Sequence, residues 1–296
     1  MEGTVLSREG GQYRVHLPDG DVIATLRGRA KRQEERAVAG DRVTLERSAT
    51  GWAIAAVAPR RNVLERRIPG GRGTRPIAAN LDEVYVMAAT ANPAPGLQLL
   101  DRLLVLAEAN DIPAALVVNK LDLDPGNSLI HRMERVGYDV FPVCVKTGRG
   151  LAPLFARMHA GVSVMTGPSG VGKSSLLNAL QPGLSLRTGE VSARIGRGKN
   201  TTVSAVMIPL DGGGALVDTP GFSDVGLWGL DPRSLIQCFP DLRQVVDDCR
   251  FQDCRHLTEP GCAVRLGAET GAFEASRYES YRVLLEELDS LPEEWE

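Results

Sequence analysis

One octapeptide restricts the fold of this chain more than any other stretch. Gly167 to Ser174 reads G-P-S-G-V-G-K-S, the G-x-x-x-x-G-K-[ST] spacing of a phosphate-binding loop. The pattern needs a strand before it and a helix after it. The apolar run Val162 to Met165 supplies the first, and the helical spacing of apolar residues from Ser175 to Leu180 supplies the second. Backbone N–H groups from Gly167, Pro168, Ser169, Gly170, Val171 and Gly172 onward, proline's missing donor excepted, would wrap phosphate oxygens at the positive end of that helix. Lys173 would reach the β- and γ-phosphates, the Ser174 hydroxyl would ligate Mg²⁺, and Ser175 continues the contact surface. A nucleoside triphosphate site is the reading.

A second motif selects the base. Asn119, Lys120 and Asp122 form N-K-x-D directly after the apolar run Ala114 to Val118, at the carboxyl end of a predicted strand, where ligands of open α/β sheets bind. A carboxylate at Asp122 can accept from guanine N1–H and the 2-amino group together. Adenine offers no such donor pair and would leave a desolvated carboxylate unpaired. Asn119 can brace the loop and contact N7, and the Lys120 stem can lie along the base or ribose. A third apolar run, Asp139 to Cys144, leads to Cys144, Val145 and Lys146. They occupy the place where GTPases often carry S-A-K and touch the base through the backbone. Cys144 reads as a small buried residue.

The remaining GTPase signals follow the phosphate loop. The stretch Gly196 to Thr202 is hydroxyl-rich, with Thr202 as the first candidate for a switch threonine that binds Mg²⁺ and Thr201 as the second. Asp218 and Gly221 form D-x-x-G at the end of another apolar run. Asp218 would hold Mg²⁺ through water, and the Gly221 N–H would sense the γ-phosphate. Phe222 stands where many GTPases place a water-orienting glutamine, so slow intrinsic hydrolysis is expected. The usual order is phosphate loop, switch threonine, D-x-x-G, N-K-x-D. Here N-K-x-D comes first, so the domain is circularly permuted. Alternating strands and helices make it an α/β domain with a mostly parallel sheet.

The first 65 residues differ in character. Five short alternating runs separated by turn signals, with no long helix, predict a small OB-fold barrel. Residues 1–80 carry 15 Lys or Arg against 9 Asp or Glu, whereas the whole chain has net charge −3. Arg27, Arg29, Lys31, Arg32 and Arg36 crowd one loop there. Guanidinium groups at that density suit nucleic-acid phosphates. The Gly/Pro/Arg stretch 68–76 reads as a linker.

At the other end Cys249, Cys254, His256 and Cys262 show the spacing C-x4-C-x-H-x5-C. Three thiolates and an imidazole form a closed set for one structural zinc ion, with no position left for a catalytic water. A charged amphipathic helix is expected from Glu274 to Leu288, and Cys238 is expected to pack. The chain of 296 residues begins without a basic, then apolar, leader and has no run near the ~18 apolar residues of a membrane span. The cytoplasm is the expected location.

The expected organisation is therefore an OB-fold nucleic-acid-binding domain at 1–65, a permuted GTPase domain at 66–228, and a mostly helical zinc-binding domain at 229–296. This combination resembles the RsgA (YjeQ) family of small ribosomal subunit-dependent GTPases. The resemblance implies GTP hydrolysis stimulated by the small ribosomal subunit, action in late subunit maturation, and release after hydrolysis. It also implies rRNA contacts by the barrel and zinc module, in a monomer. Two departures stand out: Asn200 where members commonly carry histidine before the switch threonines, and Cys144 in place of serine. The competing reading is a nucleotide-gated RNA-binding assembly factor in which turnover is incidental.

Overall fold

Alternation in the first 57 residues folds as a closed barrel. The structure, a computed structural model, describes residues 1–26, 36–48, 51–67, 74–182, 205–218, 227 and 230–290. Strands β1 (Glu2–Glu9), β2 (Gln12–Leu17), β3 (Gly20–Leu26), β4 (Arg42–Ser48) and β5 (Gly51–Val57) run round it in the order β1-β2-β3-β5-β4. On β2, Tyr13, Val15 and Leu17 point inward while Arg14 and His16 face out, as a period of two requires. Val5, Val43, Leu45 and Ile54 complete the interior. Only the β3–β5 pair is parallel; β4 returns antiparallel to β1 and closes the ring. This is the OB-type barrel expected from the sequence. Arg27, Arg29, Lys31 and Arg32 lie outside the described residues, and Arg36, at their edge, is exposed.

Of the stretch 68–76 expected as a linker, only 74–76 are described; they open β7 (Thr74–Ala79), which pairs antiparallel with β6 (Val63–Arg67), with Leu64 opposite Ala78 and Arg66 opposite Arg75. Glycine, proline and arginine between the two strands in sequence obscured their aliphatic residues, of which Leu64, Ala78 and Ala79 are buried. The joint to the barrel is tied by polar groups. Buried Asp41 accepts from Arg60 Nε at 2.7 Å, and Asn62 exchanges two hydrogen bonds with the Leu81 backbone.

A six-stranded sheet follows, in the order β10-β9-β8-β11-β13-β12. Its strands are β8 (Glu83–Ala89), β9 (Ala114–Asn119), β10 (Asp139–Pro142), β11 (Val162–Thr166), β12 (Val206–Pro209) and β13 (Ala215–Asp218). All neighbouring pairs are parallel except β12–β13. The central strand β8 is buried along its whole length, the near-continuous apolar run of a sheet covered on both faces. Helices α1 (Leu97–Glu108), α2 (Asn127–Val136), α3 (Leu151–Met158) and α4 (Lys173–Leu180) connect the strands. The parallel strands all present their carboxyl ends at one edge, so loops distant in sequence converge there.

The C-terminal part contains two 3-10 helices, Pro232–Cys238 and Leu242–Asp248, then α5 (Ala263–Thr270) and α6 (Ala275–Ser290). Cys238 packs, as expected. Helix α6 is amphipathic as expected, with Glu279, Arg282, Glu286 and Asp289 exposed and Tyr281, Leu284, Leu285 and Leu288 buried, but its inner face also carries a charge. Arg277 is fully buried. It donates to Asp101 Oδ1 on α1 at 2.7 Å and to Asp241 at 2.9 Å, with its guanidinium over the Phe239 ring. Ser280 Oγ and Arg132 also donate to Asp101, at 2.6 and 3.1 Å. Arg102 pairs with Glu287 and Arg135 with Glu274 around the rim. A guanidinium removed from water requires such partners. Asp101→Ala, which removes one of the two carboxylates facing Arg277 and the shared acceptor of Arg132 and Ser280, is expected to destabilise the docked helix by about 3 kcal/mol. The check is the denaturation midpoint together with proteolytic release of the C-terminal part. No helix among the described residues is long and apolar enough to cross a membrane.

Candidate active site and metal centre

The phosphate loop runs from β11 into α4. Its curvature depends on glycine. Gly167 has φ +143°, and a Cβ there would lie 2.2 Å from the Met87 carbonyl oxygen. Gly172 has φ +106°, and a Cβ there would lie 2.5 Å from Asn119 Nδ2. Both positions pair left-handed or unusual backbone with close approach, which a side chain would prevent. Lys173 opens α4 and folds back over the loop, with Nζ donating to the Gly167 and Pro168 carbonyls at 2.6 and 2.8 Å. Burial lowers its pKa from the usual lysine value. Its contacts are neutral carbonyls, so phosphate oxygens would be stronger partners. Ser174 is buried at the same helix start.

Asn119 ends β9 and ties three loops together. Its Nδ2 donates to the Val171 carbonyl at 2.9 Å, and its Oδ1 accepts from the Val145 N–H at 3.1 Å. The side chain therefore fixes the N-K-x-D loop against both the phosphate loop and the 144–146 loop. Lys120 adopts φ +65°. Its carbonyl accepts from Thr90 Oγ1 at 2.8 Å, and its ammonium donates to the Asn92 carbonyl. Thr90 and Asn92, in the loop after β8, escaped the sequence reading. The turn-forming run Asn92 to Gly96 at a strand end was the available signal.

Asp122 completes the group. Its Oδ1 accepts from Cys144 Sγ at 3.3 Å, and Lys146 Nζ lies 3.5 Å from Oδ2. The Cys144 hydrogen bond is the leading cause holding its carboxyl below the ordinary carboxylate value. Asn119, Lys120, Asp122, Leu123, Val145, Lys146, Gly170, Gly172 and Ser175 line one cavity of ≈ 350 Å³. Its polar groups come from three loops, and its size suits a purine nucleoside. Leu123, which the sequence reading passed over, supplies an apolar wall.

Asp218 ends β13, beside β11 in the sheet. Burial pushes its carboxyl up to about 6, and a nearby dication would reverse that effect. A serine hydroxyl, a carboxylate and phosphate oxygens form the hard oxygen donor set that Mg²⁺ takes. Thr201, Thr202, Gly221, Phe222 and Asn200 lie outside the described residues.

Cys249, Cys254, His256 and Cys262 converge in the C-terminal part, their ligand atoms all within 4.8 Å of one another. His256 Nδ1 lies 3.5 Å from both Cys249 Sγ and Cys262 Sγ. A tetrahedron with metal–sulfur and metal–nitrogen radii of the zinc type has S···N edges of about 3.6 Å, so the donors are spaced for one ion. Burial lowers the His256 pKa and favours the neutral imidazole a metal needs. Burial also pushes Cys254 up to about 12, and a bound cation would stabilise the thiolate instead. Helix α6 clamps the ligand loop: Tyr278 and Tyr281 hydroxyls donate to the His256 and Arg255 carbonyls at 2.6 and 3.0 Å. The Glu259 carboxylate accepts three loop N–H groups.

Comparison with known proteins agrees with this architecture. The sequence profile described as RsgA GTPase matches residues 57–228. The chain is 45% identical over 297 aligned residues to the small ribosomal subunit biogenesis GTPase RsgA of Gemmatimonas aurantiaca, covering 97% of each protein. The crystal structure of YjeQ from Thermotoga maritima superposes with a TM-score of 0.80 and 32% identity over 98% of this chain and 99% of that one. YloQ, described as a circularly permuted GTPase, gives a TM-score of 0.77 and 30% identity, covering 98% and 96%.

Proposed function

Because this chain belongs to the RsgA GTPase family, we propose that it hydrolyses GTP to GDP and phosphate in the late maturation of the small ribosomal subunit, with hydrolysis stimulated by that subunit. The observation that carries the nucleotide half is the junction at Asn119, which holds the base-reading and phosphate-binding loops in one frame. In this reading Asp122 accepts the two guanine donors. Val145 and Lys146 close over the base, and Gly167 to Ser175 wrap the phosphates. Lys173 leaves its loop carbonyls for the β- and γ-phosphates. Ser174, Asp218 and Thr202 hold Mg²⁺, and the Gly221 N–H reports the γ-phosphate. The ion would neutralise charge on the transferred phosphoryl group.

The partner half draws on the printed name of the relatives and on the basic N-terminal third. Arg27, Arg29, Lys31, Arg32 and Arg36 would contact rRNA through its phosphates, with the barrel as one domain and the cysteine-rich part as another. Cys249, Cys254, His256 and Cys262 would hold a structural Zn²⁺ that stiffens the second RNA-facing surface. The protein acts as a monomer in the cytoplasm in this account. GTP favours the ribosome-bound state and GDP favours release, because a ligand shifts a population only through its differential affinity for the two states.

Two experiments test this. Asp122→Asn replaces one acceptor by a donor, which suits the 2-oxo group of xanthine. It is expected to reverse the preference between guanine and xanthine nucleotides by about 100-fold or more, read by competitive nucleotide binding. An unchanged preference would remove Asp122 from its role. Cosedimentation with small ribosomal subunits should be stronger with a non-hydrolysable GTP analogue than with GDP. Equal binding in the two states would contradict the release step.

A further inference from the structure

The two flanking parts of the chain are attached to opposite halves of the six-stranded sheet, and by different chemistry. The C-terminal part docks on α1 and α2, the helices that follow β8 and β9 on the base-reading side. Its joint is directional: buried Arg277 faces Asp101 and Asp241, and Arg132 donates to Asp101 from α2. Ion pairs removed from water resist separation, because either charge left alone is costly. The barrel instead meets β12, the edge strand beside β13. Alternation on β1 sends Val5 into the barrel interior and Leu6 outward. Leu6 is nevertheless only 2% exposed, because it joins the buried cluster that holds Met207 of β12. The turn at Gly40 completes this seat. Gly40 has φ +90°, and a Cβ there would lie 2.0 Å from the Ala79 carbonyl oxygen and 3.4 Å from Met207 Cε. Polar bonds anchor the same turn to the start of the sheet domain. The Ala79 N–H donates to the Ala39 carbonyl and Asn80 Nδ2 to the Gly40 carbonyl, both at 2.9 Å. The seat on β12 is apolar, and apolar contact has no preferred direction. It can slide about that anchor.

Strand β12 is placed to feel the third phosphate. Among the described residues its one ladder partner is β13, with Val206 opposite Asp218, and Thr202 precedes Val206 by four positions in sequence. The β12–β13 pair therefore lies between two residues read as Mg²⁺ ligands. An edge strand has one ladder to distort rather than two, so β12 shifts at less cost than β8 or β11. We propose that the barrel is the part that responds to the γ-phosphate, through the apolar seat of Leu6, Gly40 and Met207 on β12, while the C-terminal part stays fixed to the base-reading half. The inference deepens the nucleotide-gated release proposed above and rests on that nucleotide site. A change in the barrel's angle on β12 gives the GTP and GDP states different affinities for RNA held by the barrel. By linkage, RNA on the barrel then favours one nucleotide over the other by the same factor.

The test is amide hydrogen exchange of the full-length chain with GDP and with a non-hydrolysable GTP analogue, each with Mg²⁺. Slower exchange across Gly167 to Ser175 with either nucleotide reports that the site is filled. Peptides covering β12, β1 and residues 38–41 should then differ between the two nucleotides by about 5-fold or more, while α1 and α6 exchange alike in both. Met207→Ala, which empties the seat and leaves the phosphate loop intact, should keep the protection of Gly167 to Ser175 and abolish the difference at residues 38–41. Leu6→Ala, on the barrel side, should do the same. Equal exchange at β12 and residues 38–41 with both nucleotides, the phosphate loop being protected, would overturn the inference and leave the nucleotide site standing. So would a difference of equal or larger size in α6, which would make the C-terminal part the responding one. A wild-type difference that survives in both variants would likewise overturn it. A phosphate loop protected by neither nucleotide would overturn the nucleotide reading itself, and this proposal with it.

Discussion

Lys173→Ala is expected to lower GTP turnover by at least about 100-fold, the usual consequence of removing a fixed positive donor from developing phosphate charge. The expectation follows from where the ammonium sits. Its Nζ donates to the Gly167 and Pro168 carbonyls of the phosphate loop. It is thus held over the position that the β- and γ-phosphates would occupy, and burial makes its charge more costly there. An anion relieves that cost and binds a preorganised donor. Alanine removes the donor while leaving the glycines, Asn119 and the sheet intact. Turnover should therefore collapse with little change in the thermal midpoint of the apoprotein. Turnover within a few-fold of wild type would place phosphate recognition elsewhere.

Stripping metal from the C-terminal part is expected to have the largest structural effect. The ligand loop between the second 3-10 helix and α5 contains no regular element. Its order depends on Glu259 accepting loop amides, on the two tyrosine hydroxyls of α6, and on whatever occupies the three thiols and the imidazole. Structural zinc sites of this composition contribute on the order of 10 kcal/mol of apparent folding energy. A strong chelator, or Cys254→Ser, should release about one metal equivalent per chain and expose the loop to protease. One face of the six-stranded sheet packs against α3 and α4 in a cluster that includes no C-terminal residue, so the sheet should still bind nucleotide. Purified protein without tightly held metal, yet with a protease-resistant loop, would remove zinc from the account.

Most of the nucleotide-binding frame could be read in advance, because ligand chemistry fixes residue types at fixed spacing. The glycines of the phosphate loop, the lysine and serine after them, and Asn119 with Asp122 are such cases. Their convergence follows from the parallel sheet, whose shared direction puts the carboxyl ends of β9, β10, β11 and β13 at one edge. The cysteine and histidine spacing is legible for the same reason. Strands β6 and β7 were hidden because the glycine- and proline-rich stretch between them in sequence outweighed two short apolar runs. Arg277 was hidden for a different reason. One arginine on a charged helix reads as a surface residue, and only tertiary packing brings Asp101, 176 positions away, to its guanidinium. The Thr90–Asn92 loop and the Cys144 thiol also act through neighbours that are distant in sequence. Local pattern encodes what a ligand demands, whereas second-layer support comes from the fold.

The central claim is that this is a GTPase whose turnover depends on the small ribosomal subunit. It is tested most directly by GTP hydrolysis of the purified full-length chain with and without small subunits, with ATP and Lys173→Ala as controls. The account predicts slow intrinsic turnover and a large stimulation that is specific to GTP and lost in the variant. Tight GTP binding with the same turnover at every subunit concentration would contradict it, and would favour a nucleotide-gated binding factor in which hydrolysis is incidental.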